Sequence, residues 1–393
     1  MLRIGATILS GGRSPTRLGT GGRRIALDNS RAAFGGLLGE FAPRVRDARV
    51  KAIAERFSAP LGAAVLGRHG VGRGAVAAAL AGSGFPVAAD AAGADMHVVV
   101  VAETLKPEER AQLQAACQNS VASPGVPGFV PRASVPTMVV LNKADLSGVT
   151  PGGPLAGAER QAADFGTSVG LPVVPMIAPL ATVELDDEEF AALRALVRTP
   201  ADMTSTDAFV SSDHPLPTEL RQRLLQRLDR FGVAHAVLAV ADGATVATVS
   251  RQLRALSGVD RAIARLTVVA APVRYRRLGT AMRELRTLAA RTGDSRLEEF
   301  LTSDEVIIAV MEAAVDVVEA AGFTVDQGEG HGSLQGHGSL EGHGSLEGHG
   351  GANVQLRRAA RWRTYAQAPV GVLHQRCAKD IARGSLRLLG RAR

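Results

Sequence analysis

The sequence predicts an α/β fold, a parallel sheet with crossover helices, followed by a helical domain. Three observations carry this. Met96–Ala102 and Thr137–Leu141 are continuous β-branched runs of strand length, the pattern of strands buried on both faces. Helix-forming segments stand between such runs. After about residue 200 the rhythm changes to apolar stripes at three- and four-residue spacing.

The elements follow in order. Residues 1–30 are rich in Gly, Arg, Ser and Thr and read as a basic flexible N-terminus. A helix is expected from about Ser30 to Phe57, with Val50, Ile53 and Phe57 on one face. Pro60 ends it. Leu61–Leu66 reads as a short strand, Gly67–Gly74 as a glycine-rich turn, and Ala75–Leu80 as the start of a helix. Pro107–Gln118 reads as a helix and Leu171–Val174 as another strand. Leu216, Leu220, Leu224, Leu228 and Phe231 form one helical stripe with arginines opposite, and Val306, Val310, Ala314, Val317 and Ala321 form another. Helical leucine spacing over 246–293 is broken near Ser257-Gly258 and at Pro272. A basic amphipathic helix is expected over 370–391, with Val370, Leu373, Cys377, Ile381 and Leu388 on one face and Arg376, Lys379, Arg383 and Arg387 largely on the other. Packing on the body is the usual fate of such a stripe.

Between these, Gly-His-Gly-Ser-Leu-Gln/Glu starts at Gly330, Gly336 and Gly342 and begins again at Gly348. His331, His337, His343 and His349 recur every six residues, but glycine fixes no ligand geometry, so the tract reads as a linker. The expected organisation is a basic flexible N-terminus at 1–30, an α/β domain with its leading helix at 31–205, a helical domain at 206–328, the repeat linker at 329–353 and a basic helical tail at 354–393.

Composition narrows the function. Of 393 residues 46% are hydrophobic and only 4% aromatic, so the core leans on Ala, Val and Leu. No apolar run approaches the roughly 18–20 residues of a membrane span, and the N-terminus has no clear signal peptide. Two cysteines, Cys117 and Cys377, exclude a disulfide scaffold and a cysteine zinc site, and point to a reducing cytoplasm. The net charge of +7 is uneven: residues 1–51 carry +7 and residues 356–393 carry +9, which leaves the middle at −9. Arg-rich ends suit an anionic lipid surface or an acidic partner. Nucleic acid is not the expected partner, because aromatic stacking platforms and a recognised binding motif are missing.

The chemistry gathers at two places. Asn142-Lys143-Ala144-Asp145 follows the run Met138–Leu141 directly. A carboxylate at Asp145 can accept two hydrogen bonds from the N1–H and exocyclic amine of guanine, a donor pair adenine lacks. The Lys143 stem can cover the ring. Gly67-Arg68-His69-Gly70-Val71-Gly72-Arg73-Gly74 aligns with the phosphate loop Gly-x-x-x-x-Gly-Lys-Ser/Thr, with a strand before it and a helix after. Arg73 stands in the place of the loop lysine, and Gly74 in that of the hydroxyl that binds Mg²⁺. Asp90-Ala91-Ala92-Gly93 matches Asp-x-x-Gly, but only 15 residues separate Gly74 from Asp90, too few for a normal switch segment and its strands. Phosphoryl transfer needs Mg²⁺ and a positioned water. Other candidates are weaker: Cys117 reads as a small core residue, and the acidic run at 184–189 as a solvated helix start.

These residues resemble the bacterial dynamin-like GTPases, in particular the isoniazid-inducible type. The resemblance spans about residues 40–325, through Gly67–Gly74, Ala94–Arg110, Val139–Leu146, Leu256-Ser257-Gly258-Val259-Asp260 and Ala320-Ala321-Gly322. It implies a degenerate P-loop GTPase-like domain packed on a helical bundle, action at membranes, and pairing of unequal paralogues. On that resemblance Asn142, Lys143 and Asp145 are guanine contacts, and Gly67, Gly72 and Arg73 are phosphate contacts; Gly70 and Gly74 belong to the same loop and are read with them as nucleotide-binding residues. The last guanine-contacting loop would fall near Pro175–Ala178, where Met176-Ile177-Ala178 does not reproduce the usual Ser-Ala pattern.

The expectation is therefore a degenerate guanine-nucleotide-binding protein that acts as a regulatory or scaffolding partner, at the inner membrane face. GTP or GDP is the expected cofactor, without Mg²⁺. A GTPase paralogue or a second copy of the chain, and an anionic membrane surface, are the expected partners. A slow active GTPase and a nucleic-acid-associated basic protein are the alternatives.

Overall fold

The computed structural model describes residues 34–107, 109–111, 113, 135–148, 150–323, 325, 350–368 and 371–391. The expected basic segment 1–30, the histidine repeat and Cys117 lie outside them. So does most of the Pro107–Gln118 helix, although its described residues are helical.

Four parallel strands make one sheet: β1 (Ala63–Leu66), β2 (Met96–Ala102), β3 (Thr137–Asn142) and β4 (Val173–Met176), in spatial order β1-β2-β3-β4. The register pairs Val65 with Val98, Val99 with Val139, and Leu141 with Pro175. Alternate side chains serve opposite faces. Met96, Val98, Val100, Met138 and Val140 enter one core. Val101, Val139 and Leu141 enter the other. That two-sided burial is why these strands read as unbroken apolar runs. Val87 adds a single parallel bridge to Ala63 on the outer side of β1. The chain thus steps to one side of β1 and then crosses to β2 on the other, a reversal that opens a crevice at the carboxyl ends of open α/β sheets.

One face carries helices Arg73–Gly82 and Val259–Val269. The other carries Gly153–Val169, Asp187–Arg198, Thr218–Ala241 and Val246–Ser257. A third core is helical throughout. It joins residues 34–58 to helices Ala271–Thr292, Ser295–Thr302, Asp304–Ala320, Gly350–Tyr365 and Val372–Arg391. The cores therefore divide the chain differently from the expected boundary at residue 206. Helices up to Val269 lie on the sheet, and the leading helical segment belongs to the bundle. An apolar stripe states that a helix needs a partner; it does not name the partner.

Local chemistry explains the element ends. The helix expected over 30–57 is broken in two: Arg46 takes φ +54, and Asp47 caps the next helix by accepting from Arg49 N at 2.8 Å. Gly258 in the left-handed region ends the Val246–Ser257 helix. The acidic run at 184–189 does start a helix, through a capping box between Asp186 and Glu189. Glu189 is nevertheless fully buried, with both oxygens 2.6 Å from Arg227 Nη1. Arg221 also departs from the expected solvent face: it is buried and donates to Phe209 O at 2.6 Å.

The C-terminal helix packs on the body through Cys377, Ala378, Ile381 and Ala382. It approaches tightly at Gly384, where an added Cβ would lie 2.4 Å from Met311 Cβ. Arg277 bolts bundle to sheet by donating to Ala59 O at 2.7 Å and to Asp95 Oδ1 at 2.8 Å, while Asp95 Oδ2 accepts from Gly62 N at 3.0 Å. No helix among the described residues is long and apolar enough to cross a membrane.

Candidate functional site: a cradle of strand-end loops

β1 ends at Leu66, and the chain turns through Gly67, Gly70 and Gly72 with φ of +142, +85 and +89. Side chains are disfavoured there for two reasons. L residues rarely adopt such φ values. In addition, a Cβ on Gly67 would sit 2.5 Å from Val100 O, and one on Gly72 would sit 2.3 Å from Asn142 Nδ2. Gly72 caps the Arg73–Gly82 helix. Val76 N donates to Gly72 O at 3.0 Å, so the earlier N–H groups of this first turn face the loop without helical partners.

Asn142, the last residue of β3, is 2% exposed. Its Nδ2 donates to Val71 O at 3.0 Å, and its Oδ1 accepts from Ala178 N at 3.1 Å. One carboxamide thus ties together the loops that follow β1, β3 and β4. Asn142 is read from sequence as a guanine contact; in the structure its amide is spent on the protein. The sequence carries no sign of these partners, which lie 71 and 36 residues away.

Lys143 takes φ +60, and Asp145 sits on the single turn Ala144–Leu146 that follows. Asp145 is half-buried. Desolvation, helped by the charge of Asp229, pushes its carboxyl above the ordinary range, against the pull of a backbone hydrogen bond and Lys143. Asp229 itself breaks the Thr218–Ala241 helix, with φ +56 and ψ 174. Three residues on, Gly232 packs under Leu180 of the loop after β4; a Cβ there would come within 2.7 Å of Leu180 Cδ2. Asp229 was invisible in the sequence because it falls between members of a regular leucine stripe.

The remaining loop residues are placed as follows. Arg73 and Gly74 are exposed in the first turn of their helix, and Arg73 makes no ion pair among the described residues. Arg68 Nε donates to Glu109 Oε1 at 3.0 Å, and Lys106 N donates to Glu109 Oε2 at 3.1 Å. Asp90 is exposed and closes its own turn by accepting from Gly93 N at 2.8 Å. By Asp95 the chain is back at Gly62, so the segment from Gly82 to β2 holds a single bridge where a pair of switch strands would need room. Among the described residues no group of three or more His, Cys, Asp or Glu side chains is arranged around a common point.

The fold and this geometry define an α/β protein whose strand-end loops are locked into one cradle. No protein-family model, curated protein or solved structure matches the chain.

Proposed function

We propose that the cradle is a guanine-nucleotide site that has lost its hydrolytic parts, and that the protein acts as a regulatory or scaffolding partner, of a GTPase paralogue or of a second copy of itself. The observation that carries this reading is the Asn142 tether, which joins the glycine-rich turn after β1 to the Asn-Lys-x-Asp turn after β3 and to the loop after β4. A nucleotide spanning these loops would meet backbone N–H groups and Arg73 at its phosphates, and Lys143 and Asp145 at its base. Gly74 offers no hydroxyl for Mg²⁺, and Asp90 is engaged within its own turn. Both favour binding without turnover.

The test is calorimetric titration of GTP, GDP and ATP into the full chain, with and without Mg²⁺. Guanine-selective, Mg²⁺-independent binding that Asp145→Ala abolishes is expected. Mg²⁺-dependent GTP turnover lost in Asp145→Ala would replace this reading with an active enzyme.

A further inference from the structure

A second charged feature lies far from the strand-end loops. Where the C-terminal helix crosses the bundle, Tyr275, Gly279, Met282, Arg286, Arg376, Asp380 and Arg383 line a narrow cleft of about 40 Å³. Three guanidinium groups meet one carboxylate there, a formal charge of +2. Arg286, Arg376 and Arg383 form no ion pair within 4 Å among the described residues, although burial raises the Asp380 carboxyl and the charge of all three pulls it down. Asp380 is occupied from inside: the buried Tyr275 hydroxyl donates to its Oδ2 at 2.5 Å.

The arrangement is built. Arg376 lies over the Tyr275 ring, with Cζ 6.0 Å from the centroid, within cation–π range. It also fills the space that the missing side chain of Gly279 leaves, since a Cβ there would be 3.1 Å from its Nη2. Arg376 and Arg383 stand seven residues apart on one helix, two turns on the same side, and Arg286 faces them from the bundle. Met282, Leu301 and Val310 form the apolar wall of the cleft.

We propose that this seam binds a phosphate group. Guanidinium forks match phosphate oxygens in paired hydrogen bonds, and a monoester carries about −1.5 to −2 charge at neutral pH, the complement of the cleft. The group could come from free phosphate or from a phosphorylated lipid headgroup; the recognition chemistry is the same.

The experiment titrates inorganic phosphate into the full chain, followed by calorimetry and ³¹P NMR. Arg286→Gln, Arg376→Gln, Arg376→Lys and Arg387→Gln run beside the wild type. Arg387 lies on the same helix but faces Asp304 at 3.5 Å, outside the cleft. Saturable binding is expected, weakened about tenfold or more by either cleft Gln variant and less by Arg376→Lys, and unchanged by Arg387→Gln. The altered arginines are exposed, so circular dichroism of the variants should match wild type. A second arm uses phosphatidylcholine vesicles with and without phosphatidylinositol 4-phosphate. Arg376-dependent sedimentation that free phosphate competes assigns the lipid source; phosphate binding untouched by those vesicles assigns a soluble one. Absence of saturable binding at millimolar phosphate, or equal binding by wild type and both cleft Gln variants, would overturn the proposal.

Discussion

Asn142→Ala should loosen the whole cradle. The substitution removes a donor 3.0 Å from Val71 O and an acceptor 3.1 Å from Ala178 N, both at buried positions. Each backbone group left without a partner costs about 1–3 kcal/mol. The variant should therefore lose about 2–6 kcal/mol, the lower end applying if water enters the vacated space. Gly72 supplies an internal check, because an alanine there would drive its Cβ to 2.3 Å from the same amide nitrogen. Gly72→Ala should cost about 1 kcal/mol for its φ of +89, plus the clash. In the Asn142→Ala background only the conformational part remains, so the double-mutant cycle should show about 1–2 kcal/mol of coupling. The assay is urea unfolding followed by far-UV circular dichroism. The single tryptophan, Trp362, lies in the helical core and reports on that body instead. Asn142→Ala within about 0.5 kcal/mol of wild type, or full additivity with Gly72→Ala, would refute the tether.

Four further outcomes follow from other parts of the molecule. Glu189→Ala strips a buried carboxylate from Arg227 and breaks the capping box, and should cost about 2–4 kcal/mol in the same unfolding assay; Arg227 remains about one-third exposed, which keeps the loss below that of a fully buried pair. Gly384→Val would force a branched side chain against Met311 and should release the C-terminal helix by about 1–3 kcal/mol, read as faster amide exchange over 372–391 with the sheet unchanged. The Cys377 thiol is buried and pushed up to about 12, so in a Cys117→Ser background it should react with a disulfide reagent about a hundredfold slower in the native protein than in urea; equal rates would contradict its burial. Asp145 has a folded-state pKa raised by burial and Asp229, so its neutral form favours folding: that contribution is complete below the ordinary carboxylate range and is lost as pH rises through its own titration. On the proposed guanine reading the ionised form binds, so affinity should rise over the same interval, and Asp229→Asn should move the midpoint down; an unmoved midpoint would remove Asp229 from the site.

Much of the sheet was legible because buried parallel strands leave no room for polar residues. Met96–Ala102 is a strand at the residues expected, and Thr137–Leu141 extends by the one residue, Asn142, that turns out to hold the loops together. The glycines at 67, 70 and 72 were readable as a tight turn, and their positive φ values explain why glycine stands there. What the sequence withheld was mostly long-range. Arg46 breaks a segment that reads as one helix, and only the fold shows residues 34–58 packing with Leu285 and Val317 rather than with the sheet. Asp229 kinks a helix without a proline or glycine at the break, so its position beside Asp145 has no local signature. The arginine cleft needs residues 275, 286, 376 and 383 brought together across the repeat linker, a juxtaposition no motif encodes.

The proposed reading is that the cradle recognises guanine without hydrolysing GTP. The most direct measurement is titration of GDP, GTP and ATP into the wild type and Asp145→Ala, with and without Mg²⁺, with phosphate release assayed on the same samples. GDP and GTP are expected to bind and ATP not to, Mg²⁺ to leave affinity unchanged, Asp145→Ala to abolish binding, and no phosphate to be released. Equal binding of ATP and GTP, or no nucleotide binding by the folded protein at millimolar concentration, would contradict it.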